Sequence, residues 1–174
     1  MFFMSLNAMR MLNASKFVYT LAGTAPAFNS ANAGRTQLQE SIQAGFHFWC
    51  ELLTISFTTL NSAGADDGVC TLSAQFRDGA NQVGLSNTFV DLSLLSAPGR
   101  QRSTGVAGDP SNQLDTPGIP WPYLYLETGG IIADISNVSN TANEVKMAFN
   151  GYLIPSSKMA QFDSWLNSQA SLAL

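Results

Sequence analysis

The stretch Phe46–Thr59 reads FHFWCELLTISFTT, rich in β-branched and aromatic residues, free of proline and preceded by Gly45. Such a run is a core strand of an antiparallel sheet. A second run of the same kind, EVKMAFNGYLI, spans Glu144–Ile154. In the first run, even-numbered Phe46, Phe48 and Leu52 and odd-numbered Trp49, Leu53, Ile55 and Phe57 are all apolar. A strand that is apolar on both faces is buried on both faces. One face meets the opposite sheet of a sandwich; the other must meet a loop, a helix or another subunit.

Further strands lie on either side. FVYTLA begins at Phe17, TQLQESI at Thr36, and VCTLSAQFR at Val69, the last with Leu72, Ala74 and Phe76 inward and a tight Asp78-Gly79 turn after it. TFVDLSLL from Thr88 reads as another strand, and so does Ile131–Ile135. Trp121–Glu127 carries Pro120 and Pro122 at its start and belongs at a sheet edge. Residues 96–118 form a Gly/Pro-rich loop of a length that binds something or reaches a neighbour. Roughly eight strands in this arrangement predict an all-β fold: an antiparallel β-sandwich, jelly-roll-like, with a closed barrel as the other possibility.

Pro155 ends the β-region, and Ser156 or Ser157 is placed to cap a short C-terminal helix with Met159, Phe162, Trp165 and Leu166 on one face. That face docks on its own domain or on a partner. The organisation expected is an N-terminal arm over 1–16, the sandwich over 17–155 and the helix over 156–174. The Met/Leu-rich arm, helical or extended, either docks on a neighbouring subunit or packs on its own domain.

Composition narrows the function classes. The chain has 174 residues, a single-domain length, and an ordinary apolar fraction. Only 11% of its residues are charged, against about 25% in a typical soluble domain. Ser, Thr and Asn fill the gap. Weak repulsion between copies fits either a neutral secreted domain or a subunit packed closely in an assembly. A net charge of −4 with eight scattered Lys and Arg argues against a nucleic-acid partner. No stretch approaches the roughly 18 apolar residues of a membrane span. The start, MFFMSLNAMRML, lacks a basic region ahead of its apolar part and is broken by Ser5, Asn7 and Arg10, so it does not read as a signal peptide.

Chemistry-bearing residues are sparse. His47, flanked by aromatics on a core strand, reads as structural. No G-x-S-x-G elbow is present. Cys50 and Cys70 read as buried reduced thiols, and with one histidine they cannot frame a metal site. Asp66 with Asp67, and Asp109 with Asp115, could serve a glycosidase or hold calcium, but aspartates in turns usually cap their own backbone. Trp121, Tyr123 and Tyr125 line one face of a strand, as a sugar-stacking platform or as a core or interface face. The glycosylation patterns at Asn13 and Asn137 are expected by chance in so Asn/Ser-rich a chain. No enzyme activity, cofactor or metal is expected.

From Phe46 to Ile154 the order of elements resembles small structural proteins of tailed-bacteriophage virions. The pieces that carry it are FHFWCELLTISFTT, then AQFRDGANQVGLSN, then IPWPYLYLETGGIIADISNVSN after a Gly/Pro-rich loop, and finally ANEVKMAFNGYLIP with Asn150-Gly151-Tyr152. The resemblance implies a β-sandwich subunit of the virion, assembled in the host cytoplasm: a capsid decoration or cement protein that stabilises the head lattice. Its partners would be the major capsid protein or other virion proteins. It would itself be a homo-oligomer, with a trimer favoured, and no catalytic residues carry over. A collar, head–tail or vertex protein of the same particle is the near alternative, and a carbohydrate-binding or adhesin module the distant one. The contact residues expected are Phe2, Phe3, Met4, Trp121, Tyr123, Tyr125, Phe162 and Trp165.

Overall fold

The computed structural model describes residues 4–29, 32–60, 63–64, 69–79, 83–85, 88–95 and 119–171. Four strands make the first sheet, in the order β1 (Ser15–Ala25), β11 (Asn143–Pro155), β5 (Phe46–Phe57) and β9 (Ile119–Tyr125). The second sheet runs β4 (Arg35–Ser41), β10 (Gly130–Asn137), β6 (Leu72–Asp78), with the two-residue strands β7 (Val83–Gly84) and β8 (Val90–Asp91) both pairing with β6. A small hairpin, β2 (Phe28–Asn29) with β3 (Asn32–Ala33), follows β1. Every pairing is antiparallel. The fold is an all-β sandwich.

Alternation along the strands builds the core between the sheets. On β11, Val145, Met147 and Phe149 are fully buried while Glu144 and Lys146 are exposed. Leu72, Ala74 and Phe76 of β6 and Ile131, Ala133 and Ile135 of β10 face them from the other sheet. Each large side chain so buried contributes about 1.5–3 kcal/mol.

The two-faced apolar pattern of β5 has two separate causes. Phe48 and Cys50 point into the core, and so do Leu53, Ile55 and Phe57, so the inward parity changes part-way along the strand. Asn150 pairs with Leu52 but Gly151 pairs with Cys50, which leaves Glu51 as an extra residue, a β-bulge. Trp49 alone of the large apolar residues beside the bulge is buried on the outer face.

Two helices of the same chain cover it. Helix α1 (Leu6–Leu12) is capped by Ser5, whose Oγ accepts from the Ala8 N–H at 3.2 Å, and ends at Asn13 in the left-handed region at φ 51°. Helix α3 (Met159–Ser171) follows a 3₁₀ turn at Ser156–Lys158. Met4, Ala8, Leu12, Trp49, Ile154, Phe162 and Trp165 form a second apolar cluster between helices and sheet. No second subunit is needed to bury that face.

Two local expectations are corrected. The segment 88–95 is strand only at Val90–Asp91; Asp91 Oδ1 accepts the Ser93 N–H at 2.7 Å, and the chain turns into a one-turn helix, α2 (Leu92–Leu95). Neither serine caps α3 with its side chain; Ser156 Oγ donates instead to Glu127 Oε2 at 2.5 Å. The loop expected over 96–118 lies outside the described residues.

Candidate functional site

The residues expected to touch a partner are mostly spent on the protein's own interior. Met4 is buried under α1, and its backbone N–H donates to Glu51 Oε1 at 2.5 Å. Phe162 and Trp165 stack around Trp49, with ring centroids 5.5 and 6.5 Å from it. Tyr125 is fully buried, and Trp121 and Tyr123 pack half-buried against the same core. Trp121 lies edge-on to Phe76 at 4.9 Å and its Nε1 donates to Tyr125 Oη at 3.1 Å. Within the single chain Met4, Tyr125, Phe162 and Trp165 are buried and Trp121 and Tyr123 partly covered; the three rings that the strand spacing put on one face turn toward the core. Phe2 and Phe3 lie outside the described residues, as do Asp66, Asp67, Asp109 and Asp115.

The polar groups buried near β9 and β5 are hydrogen-bonded for structure. Tyr123 Oη donates to the buried Asp78 Oδ2 at 2.9 Å. Burial pushes the Cys50 thiol up to about 12, and Cys50 and Cys70 are both free. Cys50 lies on β5 and Cys70 two residues ahead of β6, a strand of the other sheet. His47 Nδ1 accepts the Glu127 N–H at 3.2 Å. Glu127 Oε1 also accepts from the Gly45 N–H at 2.6 Å, so one half-buried carboxylate ties three chain segments together. Its hydrogen bonds with Ser156 and Gly45 hold it below the usual carboxylate range. Among the described residues no group of three or more His, Cys, Asp or Glu side chains is placed to hold a metal ion, and no helix is long and apolar enough to cross a membrane.

Glu51 is the electrostatic centre of the helix-covered face. Burial raises its carboxyl; the Met4 N–H, Trp49 and Lys16 pull it part of the way back. The Trp49 Nε1–H itself is buried without a well-formed hydrogen bond, so its help to Glu51 acts at longer range than a true bond. One polar end of the sandwich is organised by two fully buried amides. Asn137 Nδ2 donates to the Thr141 and Pro26 carbonyls at 2.8 and 3.2 Å, while its Oδ1 accepts from Ser139 N–H and Thr71 Oγ1. Asn143 Oδ1 accepts from the Leu60 N–H at 2.7 Å. An amide engaged on both ends leaves Asn137 no atom for a glycan.

Among the described residues, the outside of the second sheet and the N-terminal quarter of the chain are both open to solvent. On the sheet, Arg77 grips Asp134 through Nε at 2.6 Å and Nη2 at 3.0 Å, and Gln37 Nε2 donates to the same carboxylate at 2.8 Å. Burial would raise Asp134, but these donors outweigh it and hold the carboxyl below its usual range. A shallow depression of about 360 Å³ lies there, lined by Arg35, Gln37, Gln75, Phe89 and Asp134. Arg35 stands over the Phe89 ring at 5.4 Å. Asp134 is already held by Arg77 and Gln37, and Arg35 rests on an aromatic ring, so no carboxylate there is left for a cationic ligand.

The N-terminal quarter is different. Leu6, Met11, Phe17, Val18 and Phe28 are all exposed, five of the eight large apolar side chains so exposed among the described residues. None of the five was among the contacts expected from the sequence; Leu6 and Met11 lie on α1, Phe17 and Val18 at successive positions of β1 and so on opposite faces, and Phe28 on β2. No family model, no curated protein and no solved structure matches the chain.

Proposed function

We propose that this chain is a non-enzymatic structural subunit of a tailed-phage virion, a decoration or cement protein that stabilises the head lattice through its N-terminal quarter. The observation that carries the reading is the exposure of Leu6 and Met11 on α1, and of Phe17 and Val18 at the start of β1, on a sandwich with little charge. Exposed apolar side chains on a surface of low charge mark protein contacts. A lattice repeats such a contact many times, so each need be only modest. A collar, head–tail or vertex position on the same particle would use the same surface. An adhesin would have to bind through Trp121, Tyr123 and Tyr125, of which Tyr125 is buried and the other two are partly covered by the core, so we favour the virion reading.

Co-sedimentation of the purified chain with head shells of the encoding phage tests the reading. Wild type should pellet with shells, and the double variant Leu6→Ser, Met11→Ser should lose at least about tenfold in affinity with its circular dichroism unchanged. Both side chains point to solvent, so folding tolerates the change. A wild-type chain that stays in the supernatant at every shell concentration sinks the proposal.

A further inference from the structure

The backbone of β1 is the most open edge of the described fold. The strand is eleven residues long, pairs with β11 without interruption, and hydrogen-bonds to no other strand, although β4 of the second sheet packs near it. Parity along β11 says which of its groups are free. Glu144 O accepts the Thr58 N–H at 3.0 Å and Glu144 N donates to Thr58 Oγ1 at 2.8 Å, so even-numbered residues of β11 address β5. Odd-numbered ones, Val145 to Leu153, therefore address β1 and bond Gly23 to Ser15. The N–H and C=O groups of Lys16, Val18, Thr20, Ala22 and Thr24 consequently point away from the sheet. All five residues are exposed.

The other edges carry devices that discourage pairing. β9 contains Pro120 and Pro122, β4 presents the exposed charges Arg35 and Glu40, and β7 is two residues long. β1 has no proline, no bulge and a single charge, Lys16. We propose that β1 pairs antiparallel with β1 of a second copy across a two-fold axis through Thr20, joining two four-stranded sheets into one of eight.

A second copy suits the edge better than an arbitrary strand for two reasons. With Thr20 on the axis, Val18 faces Ala22 and Lys16 faces Thr24, so every outward group finds a partner in about ten hydrogen bonds, two for each facing pair. In that register the lone charges do not meet. Lys16 instead faces Thr24 of the second copy, whose neighbour on β11 is Glu144, exposed on the same outer face. Two strand spacings, roughly 10 Å, separate the two backbones, a span that opposed long side chains close. Thr facing Thr at the centre is itself a favourable cross-strand pair. This contact rests on the backbone of β1 and holds whether or not the chain serves a particle.

Sedimentation equilibrium of the full chain alone, without shells, is the test. The expected result is a dimer at tens of micromolar. Thr20→Pro deletes one outward N–H and sets a ring on the axis, a change that an edge strand tolerates. It should weaken dimerisation about a hundredfold or abolish it. Thr20→Cys in a Cys70→Ser background should cross-link rapidly to a covalent dimer under mild oxidation, whereas Thr24→Cys in the same background should not, since its copies lie far apart in this register. A wild type that is monomeric at about 200 μM, an oligomer of any size indifferent to Thr20→Pro, or equal cross-linking at both positions overturns the proposal. Shell binding by a monomer would overturn it while leaving the virion reading intact.

Discussion

The backbones of Trp49 and Gly151 pass so close that no side chain fits between them. A Cβ on Gly151 would fall inside contact distance of the Trp49 carbonyl oxygen and 2.9 Å from Cys50 Cα. The cause is the bulge at Glu51, which pushes β5 toward β11 at this point. Neither neighbour can retreat, because both belong to central strands.

Gly151→Ala should therefore destabilise by about 3 kcal/mol or more, since backbone must shift and not merely a flexible side chain. For a chain of this size that is a fall in Tm of roughly 6–12 °C. Thermal unfolding followed by circular dichroism checks it. A Tm within about 2 °C of wild type would show that the bulge is not so tightly held.

Asn137→Ala should cost about 2–4 kcal/mol, because Ser139 N–H, Thr71 Oγ1 and the Pro26 and Thr141 carbonyls lose a buried partner together. Asn137→Asp should fare no better. A carboxylate can still accept from Ser139 but cannot donate to either carbonyl. Hydrogen exchange at the Ser139 amide gives a local readout, and unchanged protection in the alanine variant would refute the assignment.

Much of this architecture was legible because burial follows period-two alternation, as Val145, Met147 and Phe149 illustrate. The C-terminal stripe of Phe162 and Trp165 was likewise readable as a helix face. What strict alternation hides is a bulge: Glu51 shifts parity in mid-strand, so three of the four odd-numbered residues of the apparent second apolar face of β5, Leu53, Ile55 and Phe57, belong with Phe48 on the first. Which side of β9 its aromatics take was also undecided, since the spacing of Trp121, Tyr123 and Tyr125 is the same inward or outward. The sandwich edge at β1 could not be located from local pattern at all. Strand order is set by long-range pairing, here between Ser15–Ala25 and a strand more than a hundred residues later.

The two thiols should react very differently. Cys50 is held up to about 12 mainly by burial and secondarily by the nearby Glu51 carboxylate, only partly offset by its hydrogen bonds with the Leu52 and Asn150 carbonyls. Its thiolate is then about one part in ten thousand at pH 8. Cys70 is raised too, chiefly by burial, but is only half-covered. Iodoacetamide at pH 8 followed by peptide mass spectrometry should label Cys70 at least about tenfold faster, with Cys50 labelled only on unfolding. Equal rates in the folded protein would contradict the burial of Cys50.

Glu51 sets a pH dependence whose sign can be worked out. Burial raises its carboxyl above the ordinary value despite the Met4 N–H, Trp49 and Lys16. A raised carboxyl holds its proton more firmly when folded, so its contribution to stability is complete below the unfolded value of about 4.3 and is lost as pH climbs through the folded one. Glu51→Gln keeps an oxygen to accept the Met4 N–H and never takes up the buried charge. The variant should melt about 2 °C above wild type at pH 7, and the difference should shrink toward zero near pH 4. Glu51→Ala removes the acceptor as well and should loosen α1 at both pH values, seen as faster exchange of the Met4 and Ala8 amides. A wild type that outlasts Glu51→Gln at pH 7 would mean that the attraction of Lys16 and the Met4 N–H for the charge exceeds the penalty of burying it, and the direction inferred for Glu51 would be wrong.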